Sequence, residues 1–166
     1  MDTHAVCLVD EIPIGVVDRL LAAAYARSEE LAPGSPQDLA VVGMENGEPS
    51  RFLGMTPKMV SQQLGPENTL FLILDARSAE DDTALLVARG NHYDIDKEDS
   101  NDVETLRIDF SETQCTITTL EVGCGGFPEL QSIAGAGEGV LRRSEPKQKG
   151  GPAPRKLLRR GSDGEE

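Results

Sequence analysis

The chain has 166 residues, a formal net charge of −13, 38% hydrophobic and 4% aromatic residues, and no Trp. That length holds one domain, or one domain with a tail, and the core has to be built from Leu, Val, Ile and Ala. No apolar stretch approaches the ~18 residues of a membrane span, and the opening Met1-Asp2-Thr3-His4, followed by Glu11, Pro13 and Asp18, has the wrong charge for a signal or transit peptide, so the cytoplasm is the expected location.

Residues 5–9, Ala-Val-Cys-Leu-Val, fit a buried strand. Asp10-Glu11-Ile12-Pro13 reads as a helix start, with acids at the positive end of the dipole and Pro in the first turn. Ile14, Val17, Leu21 and Ala24 then recur at spacings of three and four, which predicts an amphipathic helix over 13–31. Pro33-Gly34-Ser35-Pro36 ends it. Leu39 to Met44 is a short strand, and Asn46-Gly47 a turn. Thr56-Pro57 is an N-cap and first helical residue, opening a helix that runs to Leu64. Leu70-Phe71-Leu72-Ile73-Leu74, the most apolar run, is a central strand, and Ala84 to Ala88 is a second. The polar connection Arg77 to Thr83 is too short for a parallel crossover, so these two should form an antiparallel hairpin.

Asn91 to Asp102 is a polar loop. Leu106, Ile108 and Phe110 alternate on one face of the next strand, and the β-branched stretch Thr116 to Val122 is expected to be another. Gly123-Cys124-Gly125-Gly126 breaks it, a short helix covers Phe127 to Ala134, and Val140-Leu141 can add a final strand. The expected fold is therefore α+β: a mainly antiparallel sheet with two or three helices on one face. The expected organisation is one domain over 1–143 and a disordered basic tail over 144–166, where three Pro, four Gly and no aromatic leave nothing to build a core from.

Charge divides along the same line. Residues 1–140 hold 8 Lys/Arg against 25 Asp/Glu, a balance of −17, whereas residues 141–166 hold 8 against 4, a balance of +4. A body of that sign repels nucleic acid and anionic lipid, because those ligands are bound chiefly through their negative charge. Only the tail has the sign for such partners, and it is equally drawn to its own body.

Few residues point to chemistry. Cys7, Cys115 and Cys124 are odd in number and far apart, with no C-x-x-C spacing for zinc or for a dithiol motif. Cys7 belongs to a core strand. Cys124, between glycines and ahead of a helix, is the one thiol placed to be activated, but it needs a base, and the histidines are His4 and His92. The alternative is a small residue at a tight turn. In the acidic loop, His92, Asp94 and Asp96 at alternate positions share a face if extended, an H-x-D-x-D arrangement suited to a hard cation. It departs from an EF-hand loop, which asks for Gly and Glu where Asp99 and Thr105 stand; a solvated loop between strands is the competing reading. Glu80-Asp81-Asp82 reads as a charged turn. No phosphate-binding glycine motif, H-E-x-x-H or G-x-S-x-G occurs, so no cofactor is expected. In the tail, Arg159-Arg160-Gly161-Ser162 and Leu141-Arg142-Arg143-Ser144 fit basophilic kinase sites at Ser162 and Ser144. Arg155-Lys156-Leu157-Leu158-Arg159-Arg160 has the composition of a nuclear signal or a membrane-surface helix, which makes the nucleus the alternative location.

The motif order resembles an uncharacterised family of small bacterial and fungal domains of unknown function. Val9-Asp10-Glu11-Ile12 matches that family's strand and D-F-S-like helix start. Phe52-Leu53-Gly54-Met55-Thr56 matches its F-x-G-x-T segment, and Phe71-Leu72-Ile73-Leu74-Asp75 its strand ending in Asp. Leu85-Leu86-Val87 and Leu106-Arg107-Ile108 match the next two strands, and Gly125 to Leu130 with Gly139-Val140-Leu141-Arg142 matches its end. The family's Trp positions are absent, and Thr119 to Cys124 replaces its Asn-containing stretch. The resemblance implies a fold and carries no activity. The reading from sequence is a non-catalytic acidic domain that binds another protein, with a phosphorylatable tail; the alternative is a small metal-dependent hydrolase using His92, Asp94 and Asp96.

Overall fold

The computed structural model describes residues 3–89, 103–136 and 139–142. In chain order the strands and helices are β1 (His4–Leu8), α1 (Ile14–Leu31), β2 (Leu39–Val41), α2 (Pro57–Leu64), β3 (Leu70–Leu74), α3 (Ala76–Asp81), β4 (Thr83–Arg89), β5 (Val103–Asp109), α4 (Thr113–Glu121), α5 (Phe127–Ala136) and β6 (Val140–Leu141). The class is α+β. No helix among the described residues is long and apolar enough to cross a membrane.

The six strands form one sheet in the order β2-β1-β3-β4-β5-β6. It is mixed, not mainly antiparallel as expected. β3–β4 and β4–β5 are antiparallel, but β1–β2, β1–β3 and β5–β6 are parallel. Each parallel pairing uses a helix as its crossover: α1 joins β1 to β2, α2 carries the chain past β1 to β3, and α4 with α5 joins β5 to β6. The hairpin expected from Phe71 to Val87 is present, with Leu72 opposite Leu86.

Helices cover both faces rather than one. Alternate strand residues point opposite ways. Val6, Leu8, Leu72, Leu74, Leu86 and Ile108 pack against Val16, Val17 and Leu20 of α1, Ile117 of α4 and Ala134 of α5. Ala5, Cys7, Phe71, Ile73 and Val87 meet Phe52 and Val60 of α2 and its approach. Every residue of β3 is buried, as a central strand covered on both sides requires.

Two elements differ from the sequence reading. Thr116 to Val122 belongs to helix α4, not to a strand. Thr118 Oγ1 donates to the Gln114 carbonyl at 3.0 Å and Thr119 Oγ1 to Cys115 at 2.8 Å, bonds that let threonine sit in a helix. The buried set Thr113, Thr116, Ile117 follows the helical period. Within the expected turn Arg77 to Thr83, α3 forms because Asp75 caps it. Its carboxylate accepts from the Ser78 amide while the Ser78 hydroxyl receives the Asp75 N–H, a reciprocal capping box. Asp82, left-handed at φ 54°, stops it. Helices α1, α2 and α5 stand where expected, and Thr56 caps α2 through the Met59 amide.

Candidate functional site

Three places gather polar or reactive side chains. The first is the carboxyl edge of the sheet. β1 and β3 are parallel neighbours, yet α1 packs on one face and α2 on the other, so the winding reverses between them. Beyond the strand ends at such a reversal lies the crevice that open α/β sheets use for ligands. Here Asp10 follows β1 and Asp75 follows β3. Asp10 Oδ2 accepts from the Ala76 amide at 2.8 Å. Asp75 accepts from Ser78 N and Oγ, each at 3.1 Å, and takes Arg107 Nη1 and Nη2 at 3.0 and 2.6 Å. Burial pushes the Asp75 carboxyl up, but the Arg107 hydrogen bonds and charge, with the Ser78 bonds, outweigh it and hold it below the ordinary carboxylate value. Arg77 meets Asp81 at 2.8 Å and Arg19 meets Asp82 at 3.0 Å. These carboxylates bind the loops to one another. The acids Asp81 and Asp82, read from sequence as a charged turn, have local structural partners.

The second place is the amino edge, where His4 Nε2 lies 3.2 Å from Glu121 Oε1. The pair, with Glu67 and Asn68, lines a polar cavity of about 450 Å³. Nothing in the sequence marks it, because Glu121 falls in a stretch expected to be a strand. No group of three His, Cys, Asp or Glu among the described residues is arranged to hold a metal ion.

The third place is a groove between the C-terminus of α1 and the α4–α5 pair, enclosing about 270 Å³. Leu31, Leu120 and Leu130 supply its apolar walls, Cys115, Thr116 and Thr119 its α4 side, and Cys124 with Gly125 the rest of the lining beside Glu112. The local sequence dictates this shape. α4 ends where Gly123 turns left-handed at φ 74°, and the Cys124 amide reaches back to the Thr119 carbonyl at 3.0 Å. The chain then reverses through Gly125 into α5, with Pro128 in its first turn. Leu31 of this wall stays 56% exposed; Val122 after α4 and Ile133 of α5 are 67% and 57% exposed.

Glu112 also lines the groove. Its Oε1 stands 3.4 Å from Arg27 Nε, but both atoms are buried and neither has a well-directed hydrogen bond, so the pair is held by charge alone. Glu129 lies close by, its Oε2 3.9 Å from the position a Cβ would take on Gly125. From Arg107 to Arg142 the sequence has no Lys or Arg in between, whereas it has Asp109, Glu112, Glu121, Glu129 and Glu138. Leucines thus wall the groove, the Glu112 in its lining faces Arg27, and Glu129 stands near Gly125.

The cysteines fall into a clear order. Cys7 is fully buried, and desolvation pushes its thiol up to about 12 despite the nearby Arg51. Cys115 is half-buried; burial, then the Glu112 charge, push its thiol up, and its Sγ donates to the Glu112 carbonyl at 3.4 Å. Cys124 is exposed. Of the bases weighed for it, His4 pairs with Glu121 and His92 lies outside the described residues. Asp94 and Asp96 of the H-x-D-x-D set and the tail serines Ser144 and Ser162 lie outside them too. Comparison with family models, with curated proteins and with solved structures found no match.

Proposed function

We propose that this chain is a non-catalytic protein-interaction domain whose groove between α1, α4 and α5 docks a segment that pairs apolar side chains with Lys or Arg. The observation that carries the reading is the leucine-walled groove with Leu31 left exposed in its wall and Glu129 near its Gly125 lining, on a body whose residues 1–140 balance at −17. Two leucine-sized side chains entering such a groove gain about 1.5–3 kcal/mol each from burial. Rim ion pairs add only ~0–1 kcal/mol each, and chiefly set encounter rate and salt dependence. The association is thus transient and weakens with salt. Phosphate on Ser144 or Ser162 lowers the tail's positive charge and tunes its competition for an acidic surface. We place the protein in the cytoplasm, with nuclear import through the basic tail the alternative. The proposed kinship with the bacterial and fungal family adds a fold and no activity.

The test is an array of synthetic peptides that place paired leucines between Arg or Lys residues, read against the full chain and its Leu31→Asp variant. Leu31 is exposed, so the substitution spares the core. The expected result is binding that falls at least tenfold in the variant and declines steadily with salt. Equal binding by both chains overturns the proposal.

A further inference from the structure

The groove proposed above has a matching segment in this same chain. Arg155-Lys156-Leu157-Leu158-Arg159-Arg160 sets two adjacent leucines between two pairs of cations. No other stretch of the sequence has that composition, and half of the chain's basic residues lie beyond residue 140. The groove offers the complement: walls of Leu31, Leu120 and Leu130, with Glu129 beside them, on a body whose residues 1–140 balance at −17. We infer that the groove's occupant is the chain's own C-terminal segment Arg155–Arg160, docked in cis, so that the full chain carries its own competitor for the partner site.

Reach allows it. Leu130 lies four residues, about 6 Å of helix rise, before Ala134. The Ala134 carbonyl takes the Gly139 amide at 2.8 Å, and β6 follows at once. The groove wall and Arg142 are therefore within about 25 Å of each other along this path. Residues 143–154 supply twelve residues of tether, up to about 40 Å when extended. A tether that spans its sites raises the local concentration of the tethered segment to about 1 mM. A segment with an affinity of about 100 μM in trans is then docked about nine-tenths of the time, and it weakens a competing partner about tenfold.

The inference rests on the groove reading but fails separately from it. The full-length parent and a full-length Leu157→Asp/Leu158→Asp variant are labelled with ¹⁵N and compared by amide shifts of α4, the α4–α5 turn and α5, and by the alkylation rate of Cys124. The probe in trans is a synthetic peptide of residues 153–161. The expected result has three parts. The variant moves the amides of Thr119, Leu120, Gly125 and Leu130, and its Cys124 reacts at least threefold faster. The peptide binds the variant at about 100 μM and returns those amides toward their parental positions. The parent binds the peptide about tenfold more weakly. If the two chains have the same groove amides and bind the peptide equally, the groove accepts such segments but not its own tail, and this inference alone falls. If the difference between the chains disappears on tenfold dilution, the occupant is a second copy, and docking in cis is overturned. If the peptide moves no groove amide in either chain, the inference and the groove reading fall together.

Discussion

Removing the Asp75 carboxylate should destabilise the domain more than any other single change at the carboxyl edge. Asp75 caps α3 and also receives both terminal nitrogens of Arg107 from β5, across the intervening β4, at 3.0 and 2.6 Å. Their side chains are only 23% and 13% exposed. Asp75→Ala removes the cap, about 1 kcal/mol, and strands a mostly buried guanidinium. Orphaning a buried ion costs about 3–5 kcal/mol, and the water still reaching this pair favours the lower end. The expected loss is therefore about 4 kcal/mol. Asp75→Asn keeps an acceptor for the Ser78 amide and should lose about 2–3 kcal/mol, because asparagine caps nearly as well as aspartate. Arg107→Met relieves the orphan, so Asp75→Asn/Arg107→Met should be more stable than the sum of the single losses by about 2 kcal/mol. Urea unfolding followed by circular dichroism at pH 7 measures the parent, the three single variants and the double variant. A loss below about 1 kcal/mol for Asp75→Ala, or strict additivity in the cycle, refutes the reasoning.

Acid should destabilise the protein through the same group. Asp75 and Asp81 are held below the ordinary carboxylate value, Asp81 because bonds from Thr83 and Arg77 outweigh its partial burial. As the pH falls below about 4, the unfolded chain takes up these protons first, so their contribution is whole above that pH and is lost as the pH drops through the lower folded-state values. Asp75→Asn should flatten the fall in urea midpoint between pH 5 and pH 3 relative to the parent. At pH 8 a thiol reagent should label Cys124 first, Cys115 slowly and Cys7 only in denaturant, since the Cys7 thiol is raised to about 12; mass mapping of the labelled sites checks the order, and early labelling of Cys7 contradicts the packing. Gly43→Ala should destabilise by more than 1 kcal/mol, because φ there is +79° and a Cβ would stand 2.6 Å from Phe52 Cε2; an unchanged melting temperature contradicts that contact.

The elements that were legible in the sequence are those written by local rules. α1 follows from its three-and-four spacing and its Pro-Gly stop, α2 from Thr56-Pro57, and β3 from five apolar residues between turns. The errors share one physical source, which is that tertiary context overrides intrinsic preference. The threonines of α4 favour a strand by propensity, but a helix satisfies their hydroxyls on the preceding turn and turns Ile117 into the core. α3 was hidden because Glu80-Asp81-Asp82 reads as surface charge, although Asp75 and Ser78 stand at capping-box spacing. The parallel strand partners were beyond reach, since neither β1 nor β6 announces a parallel neighbour. The groove was less legible still. Leu31 is about 80 residues from Glu112, and Leu130 is a further helix away. Of its members only Cys124 stands out in the sequence, where its glycine neighbours suit either an activated thiol or a small residue at a tight turn. The carboxyl-edge cluster was visible only as the Asp at the end of β3; its partner Arg107 emerges once β4 places β5 beside it.

The measurement that bears most directly on the central claim is an amide-shift map of the full chain during titration with an Arg- and Leu-containing peptide, repeated at low and high salt. The account predicts shifts concentrated at the C-terminus of α1, along α4 and at the start of α5, shrinking as salt rises. Shifts centred instead on Asp10, Asp75 and Arg107, or on the His4–Glu121 cavity, contradict it.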